Sequence, residues 1–123
     1  MRGVTALGGA LLVAGCAGLS QAPPDGRYEG ELCVASAAQP PDCGAVEAWL
    51  FNGSGNAQVM VSDIVYRLSL KDGALDLMLV HGQMPVDRFS TSYRWSGDVL
   101  RFTDSERSVH YSIRFADPAR QRN

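Results

Sequence analysis

From Tyr28 to Phe115 the apolar residues recur at every second position, and Gly, Asn, Asp, Ser or Pro breaks the runs about every eight to twelve residues. A period of two puts alternate side chains on opposite faces of an extended strand, whereas a helical face needs about 3.6. The spacing therefore predicts eight strands, each with one inward set. The first four are Tyr28 to Val34 (Tyr28, Leu32 and Val34 inward), Val46 to Phe51 (Val46, Ala48, Leu50), Ala57 to Val61 (Ala57, Val59, Val61) and Ile64 to Leu70 (Ile64, Tyr66, Leu68, Leu70). The others are Leu75 to His81 (Leu75, Leu77, Leu79), Asp87 to Trp95 (Phe89, Thr91, Tyr93, Trp95), Val99 to Thr103 (Leu100, Phe102) and Val109 to Phe115 (Val109, Tyr111, Ile113, Phe115).

Asp72-Gly73 suits a two-residue type I′ turn, which needs positive φ at both positions. Asn52 to Asn56, Gly82-Gln83 and Ser96 to Asp98 are similar breaks, and Ala35 to Pro41 reads as a loop. Strands joined this tightly are antiparallel neighbours. The expected fold class is all-β, a single antiparallel meander of about eight strands closed into a small up-and-down β-barrel, because closure removes exposed edges. A β-sandwich is the alternative. The domain is expected over 27–116, with a polar, disordered tail over 117–123.

Ahead of it, Met1-Arg2 and the apolar run Val4 to Val13 read as an export signal too short to span a bilayer. The run ends in Leu12-Val13-Ala14-Gly15-Cys16, which resembles the lipobox of bacterial lipoproteins. That resemblance implies a signal peptide over 1–15, a diacylglycerol on the sulfur of Cys16 and an acyl group, commonly palmitate, on the new amino terminus. Ala17 stands where Asp would favour inner-membrane retention, which resembles outer-membrane sorting in enteric bacteria. The expected place is thus the cell envelope, lipid-anchored in the outer membrane and facing the periplasm. A secretory signal cut near Ala14 or Ala17, releasing a soluble protein, is the alternative. Residues 16–26, with Pro23-Pro24-Asp25-Gly26, read as a flexible tether.

Assigning Cys16 to lipid leaves Cys33 and Cys43 as a pair, which an oxidising compartment favours as a disulfide. Two free thiols or a metal site are the alternatives, but no His lies near either cysteine to complete a ligand set. Without Arg2 the chain carries ten Lys and Arg against thirteen Asp and Glu, so nucleic acid is not an expected partner.

No nucleophile, base or metal set stands at workable spacing, so neither an enzyme nor a cofactor is expected. His81 continues an inward series at a strand end and His110 points out; rim and surface positions explain both. Glu29 and Glu31 share one strand face and read as solvated carboxylates. Arg67, Arg88, Arg94, Arg101 and Arg114 fall in the outward phase, as do Asp63, Asp76 and Asp87, which suits cross-strand ion pairs or a basic stripe.

The departure from simple alternation lies in mid-chain, where Trp49, Phe51, Met60, Val65, Met78 and Val80 are outward and apolar. Together they predict an exposed contact patch, unless the cysteine loop or a terminal segment covers them. The expected function is a non-catalytic protein-interaction module of the envelope: a subunit, inhibitor or immunity-type factor with an envelope protein partner. Small periplasmic lysozyme inhibitors are similar in architecture, as lipid-anchored barrels of this size, but their inhibitory motif has no match here. Asp25-Gly26-Arg27-Tyr28-Glu29-Gly30 loosely resembles the first strand of lipocalin-like and avidin-like barrels. The alternative is accordingly a lipocalin-like carrier of a small apolar ligand, against which the many inward aromatic residues argue.

Overall fold

The computed structural model describes residues 22–118; the expected signal segment 1–15, Cys16 and residues 119–123 lie outside the described residues. Eight strands follow one another: β1 (Gly26–Ser36), β2 (Gln39–Phe51), β3 (Asn56–Val61), β4 (Ile64–Lys71), β5 (Ala74–His81), β6 (Met84–Ser96), β7 (Val99–Asp104) and β8 (Val109–Pro118). Each pairs antiparallel with the next, and β8 pairs with β1, so the sheet closes as a barrel and not as a sandwich. Asp72 and Gly73 have φ of 55° and 80°, as a type I′ turn demands.

The inward phases are those that the alternation predicts. Leu32, Ala48, Leu50, Val59, Leu68, Leu77, Leu100 and Ile113 are buried in one cluster, with Tyr66, Leu79, Phe89 and Tyr93 packed against it. Aromatic side chains fill the barrel along its length. Phe115 meets Tyr28 at 5.7 Å and Trp95 at 5.6 Å between ring centroids, while Tyr111 stacks on Phe102 at 5.0 Å and meets Tyr66 at 6.4 Å. Ile64 and Val109 sit at strand ends and stay outside the cluster.

Most strands run further than their sequence suggests, three of them by three residues or more at one end. β2 starts at Gln39, so the expected loop Ala35 to Pro41 is mostly strand. Pro40 and Pro41 fall where the β1–β2 register shifts, and β3 pairs with β2 only over Glu47 to Phe51. On that unpaired side a proline forfeits no ladder bond and discourages edge-to-edge association. β6 begins at Met84, with Pro85 beside another register shift. β8 continues to Pro118, opposite Tyr28, and so takes in the first residues of the expected tail.

Cys33 stands opposite Cys43 and the two are joined by a disulfide on the outer face. The bridge lies in the half of the β1–β2 hairpin that β3 does not reach. Reduction, or paired Cys33→Ser and Cys43→Ser replacement, is expected to cost about 2.5–3 kcal/mol, the chain-entropy value for so short a loop. Equilibrium denaturation with and without reductant checks this, and an unchanged midpoint would contradict it.

Candidate functional site

The register sorts the outward apolar residues into two groups. Met60, Val65, Val80 and Pro85 stand opposite one another in a single row across β3, β4, β5 and β6. The shift after Leu79 gives β6 one extra residue, so Pro85 and Val86 together oppose Val80. Met60 in the row is 37 % exposed and Val86 beside it 55 %, whereas Val80 in its middle is only 5 % exposed; Met84, opposite His81, belongs to the other phase at the strand end. Val80 is buried but absent from the interior cluster. It therefore offers little contact area.

Trp49 and Phe51 form the second group, with Phe51 41 % exposed. The next row reads Trp49, Gln58, Arg67, Met78, Arg88, so two polar side chains divide Trp49 from Met78. Polar side chains thus interrupt the six expected patch residues, although Phe51 and Met78 border one groove with Gln58 and Arg67. Neither the cysteine loop nor the described part of the amino-terminal segment covers the Met60–Pro85 row: β1 and β2 carry the disulfide within the wall, and Ala22 to Asp25 lie at the β2–β3 turn.

That turn pins the end of the expected tether. The Asp25 carboxylate accepts hydrogen bonds from the backbone N–H of Gly53 at 2.8 Å and Ser54 at 2.6 Å, and the Ser54 hydroxyl donates to the Pro23 carbonyl. The Tyr28 hydroxyl donates to the carbonyl of Pro24. The Gly53 N–H, then Ser54, hold the Asp25 carboxyl below its ordinary range. Asp76 is lowered by Ser90 and Arg88, and Asp87 by Arg107 and the Arg88 N–H. A carboxyl depressed in the folded state stabilises above its unfolded pKa, and that stability is lost as pH falls through the folded value. Thermal midpoints are therefore expected to hold from neutrality to about pH 5 and fall below about pH 4. Asp25→Asn should blunt the fall; an identical acid profile would contradict the role of this cap.

Asp87 corrects an expectation, because it shares the inward phase of Phe89 instead of pointing out. At the barrel mouth Arg107 Nη1 donates to Asp87 Oδ2 at 2.6 Å and to the buried Asp104 Oδ2 at 3.0 Å. Asp104 also accepts from the backbone N–H groups of Glu106 and Arg107, which ties the β7–β8 turn across the opening. Burial pushes the hydroxyl pKa of Tyr66 and Tyr111 up. The signal for this cluster was readable: Asp104 continues the inward series Leu100, Phe102, and Arg107 follows in the turn.

The histidines are at the rim and surface. His81 Nε2 lies 2.9 Å from Asp63 Oδ2, both exposed, and His110 Nδ1 lies 2.9 Å from Thr103 Oγ1. Glu29 and Glu31 are exposed on β1. The Glu31 carboxylate is within 4.8 Å of both cysteine sulfurs, but the disulfide leaves one carboxylate as donor, too few to hold a metal. All five expected outward arginines are exposed, and Arg88 pairs with Asp76 at 3.1 Å. No protein-family model, curated protein or solved structure matches the chain.

Proposed function

We propose that this chain is a lipid-anchored envelope lipoprotein, held through Cys16 at the outer membrane and facing the periplasm, whose barrel binds an envelope protein without catalysis. A subunit, inhibitor or immunity-type role fits. The observation that carries the reading is the apolar row Met60–Val65–Val80–Pro85, with Val86 beside it, on the outside of a barrel whose interior is already packed with aromatic rings. The apolar surface exposed here at Met60, Pro85 and Val86 favours contact with another protein. The packed interior counts against the lipocalin-like carrier, since an eight-stranded barrel has room for little beyond its own side chains.

The Met60→Asp, Val86→Asp double variant of the full-length protein tests the reading. Both positions are exposed, so the thermal midpoint should shift by no more than a few degrees. Affinity for the partner recovered from the native envelope should fall by about 2–4 kcal/mol, as for loss of hot-spot contacts. Undiminished capture would remove the row from the interface.

A further inference from the structure

A cavity of about 640 Å³ opens between β6 and β7. The ladder there extends no further than Tyr93 opposite Phe102, although β6 reaches back to Met84 and β7 runs on to Asp104. Where the strands part, side chains of both faces border one space. Arg94, Arg101, His110, Ser92, Thr103 and Ser105 form its polar rim. Phe102 and Tyr111, stacked at 5.0 Å with 11° between their planes, supply an aromatic floor.

The charge at this opening is uncompensated. Arg94 and Arg101 stand directly opposite each other, and neither has an acidic partner among the described residues. Like charges in facing positions destabilise a ladder. No Asp or Glu lines the cavity, in a chain with more acidic than basic residues. Arg27 and Arg107, by contrast, hold carboxylates at 2.8 and 2.6 Å. An anion between Arg94 and Arg101 would turn the repulsion into attraction.

We propose that this opening binds a phosphate monoester carried on a small organic body. Two guanidinium forks match a doubly charged tetrahedral group, whereas a singly charged carboxylate would leave one of them uncompensated. The hydroxyls of Ser92, Thr103 and Ser105 add donors, and the hydrogen bond between Thr103 and His110 Nδ1 orients the imidazole. The stacked rings offer a surface to the body of the ligand, and the volume lies in the range of small-molecule sites, about 300–1,000 Å³. The phosphate could belong to a soluble ester or to a lipid headgroup. The site lies on β6, β7 and β8 and does not depend on the apolar row.

Amide NMR of the full-length protein in neutral detergent, titrated with inorganic phosphate, glycerol 3-phosphate and dihexanoyl phosphatidic acid, tests the proposal. Saturable shifts are expected at Ser92, Arg94, Arg101, Thr103, Ser105 and His110. Tighter binding of the phosphatidic acid than of glycerol 3-phosphate would identify a lipid headgroup, and equal or weaker binding a soluble ester; each supports the site. R101E, which places a carboxylate opposite Arg94, should weaken binding at least tenfold while raising the thermal midpoint. R94A should show the same loss, and R27A, outside the cavity, none. Absence of saturation with all three ligands, or unchanged affinity in R101E and R94A, would overturn the proposal.

Discussion

Alanine in place of Phe115 is expected to destabilise the barrel by about 4 kcal/mol, the range for removing a large aromatic side chain from a core. Phe115 is among the largest fully buried side chains and meets Tyr28 edge-on, at 86°, and Trp95 at 53°. It therefore joins β1, β6 and β8 at the seam where the barrel closes. Tyr28 and Trp95 belong to different strands whose own ladders hold them in place, so they cannot collapse fully into the space left behind. Against a net stability of about 5–15 kcal/mol for a domain of this size, the loss is a large fraction of the whole. Denaturant midpoints for Phe115→Ala and Phe115→Leu check it. The leucine variant should retain much of the stability, and an alanine variant within 1 kcal/mol of the parent, well below the expected range, would contradict the packing at the seam.

A single methyl group added at Gly30 is expected to cost nearly as much, about 3 kcal/mol. Gly30 occupies the inward phase of β1 between Tyr28 and Leu32, opposite Val46 on one side and Phe115 on the other. The β1–β8 register shifts between Glu29 and Gly30, which brings the carbonyl oxygen of Arg114 into clash with any Cβ there. That oxygen is backbone, so no rotamer change relieves the contact and the seam itself must shift. Gly44, where an added Cβ meets nothing within 4 Å, is the control. Gly44→Ala should stay within about 0.5 kcal/mol of the parent, and a Gly30→Ala variant equally close would show that β8 does not approach as described.

What could be read from the sequence was what depends on one strand at a time. Inward residues such as Leu50, Val59, Leu77 and Ile113 follow from alternation alone, and the positive-φ turn at Asp72-Gly73 from two residue types. The pairing of Cys33 with Cys43 followed from counting cysteines after Cys16 was set aside. What could not be read depends on two strands at once. The need for glycine at position 30 arises from the register of β8, some eighty residues along the chain. The burial of an outward-phase Val80 comes at the place where the β5–β6 register shifts. The division of the expected patch arises because Gln58 and Arg67 take the two places between Trp49 and Met78. Pro40-Pro41 hid the first half of β2, since proline is a loop signal until the neighbouring strand is known to be absent. Arg94 opposite Arg101 was likewise invisible as a pair, although both were placed outward.

The proposed role joins an anchor at Cys16 to a contact face on β3–β6, and in-cell photo-crosslinking reads both together. A photoreactive residue placed at Met60 or Val86 of the full-length lipoprotein should yield one common protein adduct in the membrane fraction. The same probe at Lys71 or Arg114, on other parts of the outer wall, should yield none, and Cys16→Ser should remove the adduct from the membrane fraction. Adducts spread evenly over all four positions, or none at the apolar row in a correctly localised protein, would contradict an anchored interaction module that uses this face.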